Sequence, residues 1–229
     1  MAIEVEAKAE VEIIQTMVPG APSIELVAHY PEFRDYYPEC ELETKHWMVQ
    51  NVQPDWYCFD IGANIGYYSI LLSRLAPSGH VWAFEPTTTF EMLHQNLTHH
   101  GCTNVTTVQI ALGEQEGDLE EDIYRIWGAA PERRNYPFST FDKEVAHFGL
   151  DRLDCVKIDV DGFDLEVLHG ATESLVHFNP WLIVELNDKT LTTRGHTVVE
   201  SLEWLRNQGY RDWIVLDDEN HVLRRPANP

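Results

Sequence analysis

Positive charge is what this chain has least of. Against 38 Asp and Glu it carries 16 Lys and Arg, a formal net charge of -22 over 229 residues. A surface that acidic repels phosphate backbones and anionic headgroups, so neither a nucleic-acid nor a membrane partner is expected. Cysteine is also scarce. The four thiols, Cys40, Cys58, Cys102 and Cys155, show no Cys-x-x-Cys spacing. That removes the common zinc and redox motifs and a disulfide framework. Cys58 and Cys155 fall inside apolar strand-like runs and read as packed thiols of a reducing compartment. Long apolar runs are missing too. None approaches the ~20 residues that span a bilayer, and no secretory h-region opens the chain, so the cytoplasm is the expected location. What is left is a chain that is 44% hydrophobic, sized for one domain with a substantial core.

The most informative stretch is residues 58–69, Cys-Phe-Asp-Ile-Gly-Ala-Asn-Ile-Gly-Tyr-Tyr-Ser. An apolar run from Trp56 to Ile61 leads into two spaced glycines. Tyr67, Ile70, Leu71, Leu72 and Leu75 then follow at helical spacing. The pattern predicts a strand, a tight turn and a helix. Glycine at such a turn lets backbone approach a ligand, and the helix N-terminus offers unpaired N–H groups. Nucleotide-like ligands sit there, outside the carboxyl ends of parallel strands. A dinucleotide site needs Gly-x-Gly-x-x-Gly. Here the spacing is Asp60-x-Gly62-x-x-x-Gly66, with Asn64 where the middle glycine would admit a pyrophosphate. A nicotinamide cofactor is therefore disfavoured. Glu85 ends the next strand, 23 positions after Gly62, where an acid can hold two ribose hydroxyls. Asp60 suits a cationic amine. A ligand with a ribose, a positive amine and no pyrophosphate is S-adenosylmethionine. Asp60, Gly62, Ala63, Asn64, Gly66 and Glu85 are thus the candidate cofactor-binding residues.

Strand and helix patterns alternate from there. Strands are expected over residues 56–61, 80–85, 105–110, 153–159 and 181–186. Helices are expected over 67–76, 87–100, 164–169 and 197–207, and a closing antiparallel hairpin over 213–223. The alternation predicts an α/β fold with a parallel sheet and helices on both faces. A helix over 41–52 leads into the first strand. Residues 1–40 form an N-terminal extension or cap, in which Val5–Met17 is read as a short helix that Pro19 must end. Tyr30, Phe33, Tyr36 and Tyr37 are too aromatic for a free tail and are expected to cover the core or a pocket. Residues 113–140 break the rhythm as an irregular insertion. Their aromatics, with Arg125, Arg133 and Arg134, suit a substrate lid, and a solvated β excursion fits equally well.

Three blocks together resemble the FkbM family of S-adenosylmethionine-dependent methyltransferases: Phe59-Asp-Ile-Gly-Ala-Asn-Ile-Gly66; Ala83-Phe-Glu-Pro86 with Leu93 and Asn96-Leu97; and Val156-Lys-Ile-Asp-Val-Asp-Gly-Phe-Asp-Leu-Glu-Val-Leu-His-Gly-Ala171, with Trp181–Leu186 behind it. The resemblance covers residues 41–220. It implies a Rossmann-like class I methyltransferase fold, whose seven-stranded, mostly parallel sheet has its last strand reversed. It also implies O-methylation of a hydroxyl on a sugar, polyketide or similar small metabolite. Asp161 and Asp164 depart from the family's usual Glu. Ile110 replaces a usual polar residue, so the backbone at Ile110 and Ala111 is left to read the adenine.

Methyl transfer to oxygen needs an oriented nucleophile and a way to remove its proton. Lys157, Asp159 and Asp161 alternate along the fourth strand and just past it. Asp159 is the first candidate for orienting or deprotonating the acceptor. Lys157 is either its ion-pair partner or a proton acceptor of lowered pKa, and Glu185 converges on the same edge. Asp159, Asp161, Glu185, Asn187 and Asp188 could instead supply oxygens to Mg²⁺, but no spacing enforces a coordination shell and no metal is expected. His29 and His46 could reach the site only if the N-terminal segment folds over it. The expected partner is a small hydroxylated acceptor, and a homo-oligomer is compatible with the sequence. Two rival readings stand beside the transferase. One is a nicotinamide-dependent oxidoreductase or epimerase on the same sheet; the other is a non-catalytic adenosylmethionine-binding module.

Overall fold

The computed structural model describes residues 11–226, except 19, 22, 31, 38, 39, 127 and 128 and the side chain at 35. Glu12–Thr16 (β1) and Ile24–Ala28 (β2) open it as an antiparallel hairpin, with Glu12 opposite Ala28. From residue 12 onward this corrects the expected N-terminal helix. Ile14 and Thr16 turn inward while Ile13 and Gln15 face out, which is the period of a strand. Residues 5–10 of that expected helix lie outside the described residues. Two helices follow, Glu32–Tyr36 (α1) and Leu42–Asn51 (α2).

Regular βα alternation begins at Tyr57–Ile61 (β3) and continues through Tyr67–Leu75 (α3), His80–Phe84 (β4), Phe90–His99 (α4) and Val105–Val108 (β5). Ala111–Leu112 (β6), Gly117–Ile123 (β7) and Glu132–Ser139 (β8) make a second, three-stranded sheet. Then come Phe141–His147 (α5), Cys155–Ile158 (β9), Asp164–His169 (α6), Thr172–Phe178 (α7) and Trp181–Glu185 (β10). Asp188–Leu191 (α8), Val198–Asn207 (α9), Trp213–Leu216 (β11) and Asn220–Leu223 (β12) complete the chain order.

The main sheet has seven strands in the order β11-β12-β10-β9-β3-β4-β5. Its five βα strands run parallel, and β12, the last in the chain, runs against β10. This is the Rossmann-like class I methyltransferase arrangement, with helices on both faces. Central strands are apolar throughout because both faces are covered: all four residues of β9 are buried, as are four of five in β3. Cys58 points to a cluster that holds Ile70, Leu71 and Leu93 from α3 and α4. Phe59 points to the opposite cluster, with Val145, Leu168, Leu175 and Leu205 from α5, α6, α7 and α9. Ile14, Leu26 and Phe33 join the first cluster, so the described part of the N-terminal segment is built into the core.

Two stretches of residues 113–140 form strands, as the β-excursion alternative expects. Strands β7 and β8 pair antiparallel over their length, from Gly117 opposite Phe138 to Ile123 opposite Glu132. The acid-rich run Gly117-Asp-Leu-Glu-Glu-Asp hid the strand, because Asp and Glu have poor β propensity. Among the described residues, no helix is long and apolar enough to cross a membrane.

Candidate active site

Strand register lines up the carboxyl edge of the sheet. Ile61 pairs with both Phe84 and Ile158, Val184 pairs with Ile158, and Glu185 pairs with Asn220. The next residue outward on β4, β3 and β9, together with Glu185 and Asn220, gives Glu85, Gly62, Asp159, Glu185 and Asn220. They stand one per strand at ~4.8 Å spacing. Two cavities open along this edge and meet at Gly62, Asn64, Asp159 and Asp161, which line both.

The first cavity is a narrow slot at the β4 end, lined by Glu85, Ile110, Ala111, Leu112, Ile123 and Phe163 among others. Glu85 is buried and accepts hydrogen bonds from the Asn64 N–H (2.9 Å), the Thr87 N–H (2.8 Å) and the Thr87 hydroxyl (2.6 Å). Burial raises its pKa against those bonds. The turn above it is held by the Gly62 and Ala63 N–H groups, both donating to the Phe84 carbonyl. Asn64 takes a left-handed backbone, φ 51, which Asn tolerates. Its carboxamide oxygen accepts from the Ile65 N–H and the Tyr37 hydroxyl, and its nitrogen donates to the Arg125 carbonyl.

The glycines have reasons beyond ligand approach. A Cβ on Gly62 would lie 1.8 Å from the Asp159 carbonyl oxygen, at a φ of +82. The missing side chain lets β9 close against the turn. Gly66, at φ +97, starts α3 with Leu93 packed where its Cβ would be. Asp60 also sits differently from expectation. It is buried, accepts from the Ser69 hydroxyl at 2.5 Å, and ties the strand end to α3 rather than lining either cavity. Burial pushes its carboxyl up to about 6, against the pull of Lys157.

The second cavity is an open cleft of about 790 Å³ at the β10–β12 end. Asp159 stands at its junction with the slot, a quarter exposed, with Lys157 Nζ at 2.6 Å. Lys157 is fully buried, 3.8 Å from Glu41 and 4.3 Å above the Tyr68 ring. Burial alone would lower its pKa. Asp159, Glu41 and Asp60 outweigh burial and hold it well above the ordinary lysine range. Of the two roles expected for Lys157, the geometry matches that of ion-pair partner to Asp159, and its raised pKa runs opposite to the lowering a proton acceptor needs. Glu185 lines the cleft, and its Oε2 is buried without a hydrogen-bond partner. Burial, then the Asp159, Asp164 and Asp161 charges, push its pKa well up. Asp161 is raised for the same reasons.

Several sequence candidates are spent on structure. Asp164 accepts from the Val160 and Gly162 N–H groups and shapes the loop that carries Asp161. Asn187 caps α8 by accepting from the Lys189 N–H, and Asp188 accepts from the Val198 N–H. Among the described residues no group of three or more His, Cys, Asp or Glu is arranged to hold a metal. His29 pairs with Gln95 and His46 with Gln50, and neither lines a cavity. Arg133 pairs with Glu120 and Asp122, and Arg134 with Glu132, inside the β7–β8 hairpin. Arg125 bridges Glu132 and the Tyr30 ring. The hairpin tip still reaches both cavities, through Ile123 and Tyr124 in the slot and Ile126 and Ala129 in the cleft.

Sequence reasoning missed Glu41, Tyr68 and Asn220. Glu41 precedes α2 in a left-handed conformation, φ 50, and accepts from the Asn220 amide at 2.9 Å. No local motif marks it; only the sheet order brings it beside Lys157. Tyr36 and Tyr37, expected to cover the core or a pocket, both line the cleft.

Comparisons with known proteins point to methyltransferases. The profile for "Methyltransferase FkbM domain" matches residues 60–211. A protein named "Methyltransferase 1" from Beauveria bassiana is 24% identical over 204 residues, covering 76% of this chain and 82% of its own. The "Hexuronic acid methyltransferase AglP" of Haloferax volcanii is 29% identical over 154 residues, covering 64% of this chain and 62% of its own. Among solved structures, an FkbM methyltransferase from Methylobacillus flagellatus aligns with a TM-score of 0.56 at 16% identity. That alignment covers 83% of this chain but about half, 52%, of the other. M. jannaschii TYW2, solved with AdoMet, aligns with a TM-score of 0.54 at 15% identity over 97% of this chain and 90% of its own.

Proposed function

The chain belongs to the FkbM methyltransferase family, and from that premise we propose that it is an S-adenosylmethionine-dependent O-methyltransferase for a hydroxyl of a small metabolite. The observation that carries this reading is the pair of cavities sharing Gly62, Asn64, Asp159 and Asp161 as a common wall. A group transfer between two ligands needs two such sites with one junction.

The slot is narrow, about 40 Å³, and must open to admit a nucleoside, but the residues around it suit one. Glu85 offers acceptor oxygens for a ribose diol, and Ile110, Ala111, Leu112 and Phe163 give an apolar bed for adenine. Gly62, Ala63, Asn64 and Gly66 shape the turn above. When bound, adenosylmethionine supplies an activated methyl group. The protein's part is then orientation and proton handling. Asp159, held by Lys157 at the junction, accepts the hydrogen bond of the acceptor hydroxyl and takes its proton as the oxygen becomes a nucleophile. The ion pair keeps Asp159 aimed at the junction. Glu185 is the neighbouring carboxyl on the same edge and lines the cleft beside it. The β7–β8 tip closes over both cavities as a lid. The Haloferax relative acts on a hexuronic acid by its name, which supports a small hydroxylated acceptor here.

Calorimetric titration tests the reading. S-adenosylmethionine and S-adenosylhomocysteine should bind with one-to-one stoichiometry while NAD does not. Binding of NAD in place of both would reject it.

A further inference from the structure

We infer, on the premise of the transfer reaction above, that the acceptor carries an ammonium group and that the β10–β12 end of the cleft holds it. The first observation is charge. Among the described residues, seven carboxyl side chains line the cleft against one lysine, the exposed Lys189. Lys157 lies behind the wall and is committed to Asp159.

The second observation is independent and concerns unpaired atoms. Besides the Tyr67 hydroxyl, three polar atoms of cleft-lining residues are buried with no hydrogen-bond partner: Glu185 Oε2, Asn220 Oδ1 and the Tyr68 hydroxyl. Asn220 is 2% exposed and Tyr68 is 7% exposed. An orphaned buried polar atom costs free energy and persists where a ligand completes it. All three can accept. The Asn220 amide nitrogen already donates to Glu41 at 2.9 Å, and its oxygen is the atom left unpaired. An ammonium offers three N–H donors and no acceptor, the complement of this set. Tyr36 and Tyr37 add aromatic rings to the same cleft, a surface that favours a cation.

The cofactor's own amine does not account for these groups. Asn220 lies four strand spacings from Glu85, ~19 Å along the edge. Glu185 lies two strands beyond Gly62. Their electrostatics agree with an empty cation site. Burial first, and then neighbouring acids, raise the pKa of Glu41, Asp161 and Glu185. An entering cation would favour their ionised forms, so binding should release protons. The ammonium is an anchor and not the methyl acceptor, because a protonated nitrogen has no lone pair. The acceptor's hydroxyl sits nearer Asp159.

Two matched probe sets test this by ligand-observed NMR, with S-adenosylhomocysteine present. One is tyramine, tyrosol and 4-hydroxyphenylacetate; the other is glucosamine, glucose and glucuronate. In at least one set the amine should bind tenfold or more tighter than its neutral and anionic partners. Glu185→Gln should erase that preference, and calorimetry in two buffers should show proton release. Tyr68→Phe, which removes a single oxygen, serves if Glu185→Gln fails to fold. The inference is overturned if no probe binds, if the alcohol or acid equals the amine in both sets, or if selectivity survives Glu185→Gln or Tyr68→Phe. Tighter binding of Mg²⁺ than of tyramine at these acids would also overturn it. A protein that selects amines but binds no S-adenosylhomocysteine would reject the transfer reading and leave the cation site standing.

Discussion

At the β4 end of the sheet edge, Glu85 accepts three hydrogen bonds from its own chain; at the β10 end, Glu185 keeps one oxygen buried with none. Both are glutamates at strand ends, Glu85 buried and Glu185 half-buried. Glu85 is held by main-chain donors of the turn and by Thr87, so its position comes with the βα fold itself. Glu185 faces an open cleft beside Asn220 and Tyr68, whose free atoms are unpaired too. Each such atom costs about 1–3 kcal/mol until something pairs it. The slot is thus held by its own backbone, while the cleft keeps unpaired atoms, and on the proposed reading acceptor choice would reside there.

The largest expected effect falls at the boundary between the two ends. Asp159→Asn keeps the shape and removes the charge that Lys157 orients. Turnover should drop by ~10²–10⁴ while S-adenosylhomocysteine still binds. Wild-type turnover in this variant would remove Asp159 from the chemistry and dissolve the boundary. Next comes Gly62→Ala, whose Cβ would meet the Asp159 carbonyl at 1.8 Å. A loss of about 3 kcal/mol, or roughly 6–12 °C in Tm, is expected by calorimetric melting. A variant that melts normally but binds no cofactor would mean that the glycine serves the ligand and not the strand.

Glu85→Ala probes the slot alone. It orphans the Asn64 and Thr87 N–H groups and removes the diol acceptor. Cofactor affinity should fall tenfold or more, about 1.5–3 kcal/mol for a charge-assisted pair, and amine binding in the cleft should persist. Loss of both together would merge the two sites.

The smallest effect is in pH. The carboxyls of Glu41, Asp161 and Glu185 are raised, as are Asp60, to about 6, and Asp164, to about 7. The folded chain therefore holds protons that the unfolded chain has already released. Stability should fall as pH rises from ~4 through 7. Glu185→Gln should flatten the slope and melt higher than wild type at pH 8. An identical slope would show that Glu185 is ionised at no cost.

Much of the slot was legible in the sequence, because it is local. Gly62, Asn64 and Glu85 lie within two βα units, and their backbone demands leave a spacing that can be read directly. Even there the spacing shows only part of the cause. Gly62 makes room for β9, and Asp60 binds Ser69, since neither fact is visible before the strands pair. The cleft was legible only in part. Asp159 and Glu185 announced themselves as charges ending apolar strands. Glu41, Tyr68 and Asn220 come from α2, α3 and the reversed strand β12, and only the order β12-β10-β9-β3 brings them together. The β7–β8 hairpin was obscured by its acids, and the N-terminal strand by an apolar run short enough to pass for helix.

Titration of S-adenosylhomocysteine into the wild type, Glu85→Ala and Glu185→Gln tests the division of the edge most directly. Calorimetry should show affinity reduced tenfold or more by Glu85→Ala and unchanged within twofold by Glu185→Gln. Equal losses in both variants, or a loss confined to Glu185→Gln, would contradict the assignment of the cofactor to the β4 end and the acceptor to the β10–β12 end.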